Sequence, residues 1–305
     1  MERTEPLPAT VFVNPAAGRG GAGRKVAELR EAFARWKYPV KIVKSPSAEE
    51  FRCGVRAAVC EGCATLVAMG GDGTLQMLVR EVIGRDVRVG VIPAGGGNDF
   101  AAALGIAKNV ERAVEIIVRG ETRLLDLVRV RDSYGLDAIY LGGGGIGIDA
   151  EALRYANGSF HKWRPGRLRY LASAIAALRA FRGVQVQAEF PESDLPTITK
   201  LVLLAAVLNT PTFGGGLRLA PKAELDDGLL EVVMIEMLRK REVLALIPRL
   251  LLSGELKTER VVRIRAARIK LTAEKEAHFQ GDGEFLGKTP VQIETLHRAL
   301  RVLAP

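Results

Sequence analysis

TLVAMGGDGT, residues Thr65 to Thr74, decides how the rest of the chain is read. Leu66, Val67, Ala68 and Met69 make a short apolar run of the kind that forms a buried strand, and Gly70 and Gly71 end it. Asp72, Gly73 and Thr74 follow, and from Leu75 to Val82 leucines and valines recur at helical spacing. A glycine-bracketed turn between a buried strand and a helix lets backbone come close to a ligand, and the unpaired N–H groups at the helix start suit a phosphate. Asp72 adds a carboxylate able to hold Mg²⁺ directly or through its waters. A tight turn whose aspartate caps the helix accounts for the same residues without any ligand.

Upstream, Ala9 to Val13 is a β-branched run that ends at Asn14 and Pro15. AAGRGGAGRK follows from Ala16 to Lys25, then a helix to about Trp36. Gly18, Gly20 and Gly23 satisfy GxGxxG, but the next strand, Val40 to Val43, ends in Lys44 and Ser45 where a ribose-binding acid would stand. Gly18 and Gly23 also have Walker spacing, yet Arg24 and Lys25 replace the Lys and Ser/Thr that motif needs. Neither fingerprint holds. A helix from Ala48 to Cys60 leads into the opening strand, and Val87 to Ile92 is a further buried strand, closed by PAGGGNDFA from Pro93 to Ala101. Asn98 and Asp99 fall at the start of the next helix, which runs through Leu104. This alternation predicts a parallel sheet with helices on both faces, whose ligands bind at the carboxyl ends of the strands. Asn14, Asp72 and Asp99 all fall on that edge.

The pattern changes near Leu124. Beyond it, apolar residues alternate every second position in Leu125–Arg131, Ala138–Leu141, Val184–Phe190, Leu201–Asn209, Leu229–Met234 and Val261–Leu271. That predicts a mainly antiparallel, β-rich second domain. The apolar parity switches at Ala266 and Ala267, which predicts a β-bulge there. Gly142, Gly144 and Gly147 again fit GxGxxG, but in an antiparallel setting they read as a packing or hinge loop. Two helical stretches interrupt the strands. Arg167–Arg182 puts Leu168, Leu171, Ile175 and Leu178 on one stripe, with basic residues off it, and Arg241–Ser253 is similar. Both are read as core-facing helices with a solvated basic face, or as helices resting on an anionic membrane.

With 305 residues, 48% of them hydrophobic and 26% charged, the chain can bury a sizeable core and divides most naturally into two domains. No secretory signal is visible, and the longest apolar run, Leu201–Leu208, is too short to span a bilayer, so a soluble, cytoplasmic chain is expected. Cys53, Cys60 and Cys63 crowd into one predicted helix and fit a reduced compartment; Cys60 and Cys63 form a CxxC without a second pair to complete a zinc site. His161, His278 and His297 are scattered and read as incidental. The formal charge of +9 points to an anionic partner: nucleotide, acidic lipid or nucleic acid. Aromatics at 6%, never interleaved with basic residues, argue against nucleic acid.

Five stretches stand in order: NPAAG (Asn14–Gly18), GGDGT (Gly70–Thr74), PAGGGNDFA (Pro93–Ala101), LAPKAELDDGLLEV (Leu219–Val232) and GDGE (Gly281–Glu284). Together they closely resemble the diacylglycerol kinase family, in particular its soluble bacterial members, which share a catalytic core with sphingosine and ceramide kinases. GGDGT alone is shared with NAD kinases. The resemblance implies an α/β plus mainly β architecture. Residues 1–124 would form an N-terminal parallel-sheet nucleotide-binding domain of the NAD kinase/diacylglycerol kinase fold. Residues 125–305 would form a C-terminal β-sandwich-like lipid-substrate domain, whose last residues are candidates to pack back on the first, and a cleft between the domains would hold ATP and the lipid head group. It places ATP contacts on Asn14, Gly18, Ser45, Gly70, Gly71, Asp72, Gly73, Thr74, Gly95, Gly96, Gly97 and Asn98. It places a structural Mg²⁺ on Asp227 with the backbone carbonyls of Glu224 and Leu229, its waters reaching Asp72 and Asp99. The catalytic base falls on Glu284.

The residue types suit that chemistry. Phosphoryl transfer needs positioning, charge neutralisation and a group to take the proton of the attacking hydroxyl. A carboxylate such as Glu284 serves if it lies within hydrogen-bond reach, and partial desolvation would bring its pKa toward working pH. Mg²⁺ keeps several waters and takes few protein oxygens, which matches one carboxylate, two carbonyls and outer aspartates. Asp227 and Glu284 also read as plain turn residues beside Asp-Gly pairs. Three positions depart from the family. Gly96 stands for the usual Thr, Gln76 and Met77 replace Asn-Glu after GGDGT, and Gly142–Gly145 lacks the asparagine that often precedes that loop. The expectation is an ATP- and Mg²⁺-dependent lipid kinase, with diacylglycerol as default acceptor and phosphatidic acid as product. Such an enzyme would be cytoplasmic, peripherally attached to an anionic membrane surface, and open to homodimer formation. The alternatives are an NAD-kinase-like nucleotide kinase and a catalytically weakened lipid-binding or regulatory homologue.

Overall fold

The structure, a computed structural model, describes residues 9–158, 167–243, 245 and 259–305, with backbone alone for 167–172. The chain forms two compact units: residues up to Leu125 together with Arg298–Pro305, and Asp126–His297.

The first unit runs β1 (Ala9–Val13), α1 (Ala17–Arg24), α2 (Val26–Arg35), β2 (Val40–Lys44), α3 (Ala48–Cys60), β3 (Thr65–Gly70), α4 (Asp72–Val82), β4 (Arg88–Pro93), α5 (Asp99–Ala103) and α6 (Val110–Arg119). β1 pairs in parallel with both β2 and β3, and β3 pairs in parallel with β4, so the order is β2-β1-β3-β4. Val302, from the end of the chain, lies opposite Val89 as a further parallel partner. β1 and β3 are buried at every residue, as continuous apolar runs must be when helices cover both faces. Amphipathic spacing supplies that cover. In α6, Val110, Ala113, Val114 and Ile117 are buried, at the i, i+3, i+4 and i+7 positions of one face. Ser47 caps α3, its hydroxyl accepting from the Glu50 N–H and donating to the Glu50 carboxylate. The helix ends at Cys60, so Cys63 is not in it as the sequence predicts; its thiol meets the Thr65 carbonyl at 3.3 Å.

β5 (Thr122–Asp132) leads into the second unit. That unit continues through β6 (Asp137–Tyr140), β7 (Gly143–Gly147), α7 (Ile148–Asn157), α8 (Arg167–Ala180), β8 (Val184–Glu189), β9 (Ile198–Leu208), β10 (Leu230–Glu236), β11 (Val261–Ala266), β12 (Arg268–Ala273), β13 (His278–Gly281), β14 (Glu284–Lys288) and β15 (Val291–Leu303). Pairing is antiparallel throughout, including β7 with β9 and β13, β9 with β10, and β12 with β8 and β15. The core gathers Val128, Tyr140, Ile146, Val207, Val232, Ile269 and Phe279, all essentially without solvent contact. The glycine run at 143–147 is a buried strand rather than a loop, and it packs as the glycines anticipate. A Cβ on Gly144 would stand 2.7 Å from the Gln280 carbonyl, across the β7–β13 pair.

Two further expectations need correction. There is no bulge at Ala266 and Ala267. The strand ends, β11 having paired with β10, and β12 begins on new partners, β8 and β15. A change of partner reverses which residues face the core, so it leaves the same parity switch in sequence that a bulge does. In α8 the predicted apolar stripe is not the buried one. Ile175 is 41% exposed, while Ser173 and Ala177 are fully buried, because small residues let α8 lie close against α7. Leu168 and Leu171 of that stripe, and most of the predicted Arg241–Ser253 helix, lie outside the described side chains. Among the described residues no helix is long and apolar enough to cross a membrane.

Candidate functional site

In the first unit, loops leave the carboxyl ends of β1, β3 and β4 and meet. Asn14 ends β1. Its backbone N–H bonds the Met69 carbonyl at 3.1 Å, its Oδ1 accepts from the Ala16 N–H at 3.1 Å, and its Nδ2 donates to the Thr74 hydroxyl at 3.2 Å. Ser45, buried at the end of β2, bonds the Val13 carbonyl through its N–H at 3.0 Å and so stands beside Asn14. Gly18, Arg19 and Gly20 have left-handed rather than helical backbone inside α1, so the chain there is a loop in geometry, and the three loops meet backbone to backbone. A Cβ on Gly18 would stand 2.2 Å from the Ala94 carbonyl oxygen, and one on Gly95 would stand 2.4 Å from the Gly71 Cα. Gly18 also has φ +61°, a conformation that disfavours side chains.

Asp72 is the first residue of α4 but does not cap it. Its carboxylate reaches the next loop, where Oδ2 accepts from the Asn98 N–H at 2.8 Å and Oδ1 from the Phe100 N–H at 3.2 Å. Asn98, buried and left-handed at φ +64°, closes its own loop. Its Oδ1 accepts from the Gly95 N–H at 2.9 Å and its Nδ2 donates to the Gly95 carbonyl at 3.2 Å. Lys108 donates to the same carbonyl. Gly73, Gly96 and Gly97 are exposed at the loop tips, and Asp99 is half-buried beside them. The structure therefore gathers Asn14, Gly18, Ser45, Gly70–Thr74, Gly95–Asn98 and Asp99 on one edge of one sheet. Such an edge offers glycine backbone and a fixed carboxylate, a setting suited to phosphates.

In the second unit, Asp227 lies on the loop before β10. Its Oδ1 accepts from the Leu229 N–H at 3.0 Å, and its Oδ2 is held by the Arg265 guanidinium. Arg265 also reaches Glu231 at 3.2 Å. Burial raises the pKa of Glu231, and the guanidinium acts against that rise. Glu224 is exposed at the start of the loop. Behind the loop stands Asp126, fully buried. Its N–H bonds the Leu225 carbonyl at 2.7 Å, its Oδ2 accepts from the Gly228 N–H at 2.6 Å, and its Oδ1 is 2.9 Å from the His297 ring. His297 is thus a brace rather than an incidental residue. Asn209, also buried, donates to the Asp126 and Leu141 carbonyls at 3.0 Å each.

A resident Mg²⁺ fits this loop by donor chemistry. One carboxylate with the carbonyls of Glu224 and Leu229 is the sparse hard-oxygen set that a largely hydrated Mg²⁺ takes, but the Asp227 Oδ2 is engaged by the Arg265 guanidinium, which an ion there would have to displace. Among the described residues no cluster of three or more His, Cys, Asp and Glu side chains forms a metal cage. Water and carbonyl oxygens would have to complete the coordination.

Glu284 follows a two-residue hairpin turn. Asp282 and Gly283 have φ +49° and +83°, both left-handed as the tightest hairpin turns require, and Gly281 and Glu284 pair across it. The Asp282 carboxylate accepts from three consecutive N–H groups, Leu141 at 2.7 Å, Gly142 at 3.0 Å and Gly143 at 3.1 Å. Burial, with the Asp282 charge behind it, raises the Tyr140 phenol well above its usual range. Glu284 itself is exposed, so this chain does not desolvate it. Sequence reasoning misses Asp126, Asn209, Arg265 and His297 here, because nothing local marks a residue whose partner lies 38 to 171 positions away.

Residues 8–130 match the family model described as the diacylglycerol kinase catalytic domain. Residues 144–304 match the YegS C-terminal NAD kinase beta sandwich-like domain. A diacylglycerol kinase of Mycobacterium tuberculosis (strain ATCC 25618 / H37Rv) is 30% identical over 309 residues, covering 100% of this chain and 97% of the relative. One of Bacillus subtilis (strain 168) is 26% identical over 300 residues, covering 97% and 96%. The fold is similar to the crystal structure of a diacylglycerol kinase from Bacillus anthracis str. Sterne, with TM-score 0.74 and 19% identity over 98% of this chain and 97% of that one.

Proposed function

The chain belongs to the diacylglycerol kinase family and is a lipid kinase, and from that premise we propose that it transfers the γ-phosphoryl group of ATP to a hydroxyl of diacylglycerol, giving phosphatidic acid. The observation that carries this reading is the meeting of three loops in the first unit, where Gly95 approaches Gly71 too closely for any side chain. Backbone packed that tightly leaves loop N–H groups available to a triphosphate at the sheet edge. Asn14 and Thr74 fix the entry of the first loop, and Asp72 fixes the third by accepting its N–H groups. Asp227, with the carbonyls of Glu224 and Leu229, is assigned to Mg²⁺; Asp72 and Asp99 are the acidic groups on the nucleotide side. Mg²⁺, when bound, neutralises phosphate charge. Glu284 takes the proton of the attacking hydroxyl. Its exposure means that desolvation comes from the arriving lipid. An acceptor of that kind is met at a membrane surface, so peripheral attachment belongs to the same reading.

Glu284→Gln tests it. Turnover is expected to fall by about 10²–10⁴-fold, the usual worth of a general base, while nucleotide affinity measured by calorimetry stays unchanged. Equal turnover in the two proteins removes Glu284 from the role. A panel of lipids incubated with labelled ATP should put label on diacylglycerol; label on a soluble dinucleotide instead would overturn the acceptor.

A further inference from the structure

The turn that presents Glu284 is held from a second side, by groups that the transfer chemistry does not use. Gln280, 4% exposed on β13, donates from Nε2 to the Asp149 Oδ2 at 2.7 Å, and its Oε1 accepts from the Gly283 N–H at 3.1 Å. Asp149 lies at the start of α7, 8% exposed, and among the described residues its buried Oδ1 has no partner at full hydrogen-bond geometry, the N–H groups of Ala150 and Asp149 lying only near the carboxylate. Gly145, opposite Gln280 in the β7–β13 pair, makes room for it, since a Cβ there would stand 3.1 Å from the Asp149 Oδ2. The residue next to Gly283 is Glu284.

We propose that Asp149 and Gln280 are positioning residues for phosphoryl transfer, a buried carboxylate–amide relay that fixes the Asp282–Gly283 turn and through it the Glu284 carboxylate. The proposal rests on the reading of Glu284 as the base. An ionised carboxylate only accepts hydrogen bonds, so it admits a single orientation of the Gln280 amide, with NH₂ toward Asp149 and oxygen toward Gly283. A protonated Asp149 can donate as well. The amide is then free to turn over, and Gly283 loses its acceptor.

Asp149 is poised for that change. Burial is the first cause of its raised pKa, and the Gln280 amide with the N–H groups of Ala150 and Asp149 pull it back only to about 6. Among the described side chains, charged groups on the packed elements are engaged elsewhere or exposed. On α7, Glu151 and Arg154 pair with each other at 2.8 Å, and Lys200 of β9 pairs with Glu236. His278 of β13 stacks on Phe285, and Arg179 of α8 is exposed. β7 brings only glycines and Ile146.

The test compares wild type with Asp149→Asn and Gln280→Leu by hydrogen exchange of the 279–286 segment at pH 7.5 and by turnover from pH 5 to 8, with melting temperatures to confirm folding. In both variants the turn should exchange at least about tenfold faster and kcat should fall about tenfold, less than the roughly 10²-fold cost of a base displaced by 1 Å or removed, with the nucleotide KM within twofold. Wild-type kcat should fall below about pH 6, and Asp149→Asn should lack that fall. If Asp149→Asn does not fold, Gln280→Leu answers by exchange and kcat alone. Exchange and pH profile like wild type in folded variants overturn the relay, whatever Glu284 does. Faster exchange with unchanged kcat overturns its catalytic half, and Glu284→Gln run alongside then shows whether the base assignment was at fault.

Discussion

The loops of the first unit and the GDGE turn of the second are both small, glycine-bearing and conformationally strained, yet they are held in opposite ways. Asn14, Asp72 and Asn98 bond partners 60, 26 and 3 residues away, and backbone packed on backbone does the rest. Asp282 and Gln280 reach partners 140 and 131 residues away through their side chains, in addition to the backbone bond from the Asp282 N–H to the Gly143 carbonyl. A phosphate cradle made of backbone needs the chain to be bare and close, which a run of glycines encodes locally. A single carboxylate that must point one way needs side-chain anchors, and these come from whichever strands the fold brings alongside.

A pair of substitutions can break this comparison. Asp282→Ala removes the acceptor of three partly buried N–H groups, at a cost of about 3 kcal/mol. It should lower kcat at least about tenfold with little change in nucleotide KM. Gly95→Ala forces the loops of the first unit apart, a clash worth about 1–3 kcal/mol, and should raise nucleotide KM more than it lowers kcat. Steady-state kinetics on folded protein decides; the same parameter moving in both variants would mean that the two regions do not divide the work.

The buried carboxylate of the relay gives the next effect, on stability rather than rate. The Asp149 pKa is raised from 3.8 to about 6 on folding, so the folded state binds more protons than the unfolded one between those values. Its contribution is therefore fully present below about pH 4 and lost as pH rises through about 6, on the order of 3 kcal/mol in all. Urea unfolding of wild type and Asp149→Asn at pH 4.5 and 7.5 should show wild type losing ground to the variant by most of that amount. A pH-independent difference would place Asp149 in a solvated site.

What could be read from the sequence follows the same division. The GGDGT strand-turn-helix, the β1 loop and the PAGGGNDFA loop are legible because each sits between elements with their own periodicity, and the parallel sheet then assigns them to one edge. Asp72 stands out in the sequence, but its local role does not, since capping the neighbouring loop depends on strand order. Asp126, His297, Asn209, Gln280 and Asp149 were not legible. Asp126, Asn209, Gln280 and Asp149 are buried polar residues whose partners only the assembled fold supplies, and exposed His297 gains its role only as the partner of Asp126. The α8 stripe misled for a related reason: the face that packs is chosen by how closely its neighbour approaches, and small Ser173 and Ala177 allow more than Ile175 does.

The smallest effect probes a position in the Gly95–Asn98 loop that has room for a side chain. A Cβ on Gly96 would meet nothing within 4 Å, and its backbone is not left-handed, unlike its neighbours Gly95 and Gly18, which have no room. Gly96→Thr restores the hydroxyl usual at that place in the family. It should therefore fit without moving the loop, and one added hydrogen bond to a phosphate, worth about 0.5–1.5 kcal/mol, should lower nucleotide KM about threefold or somewhat more while leaving kcat alone. Loss of loop entropy in the unfolded chain adds about 0.4–1 kcal/mol to stability. Titration of ATP against turnover checks the first and urea unfolding the second. A raised KM would mean that the phosphates pass so close to Gly96 that its bareness is part of the cradle, extending to the loop tip the backbone rule that governs its root.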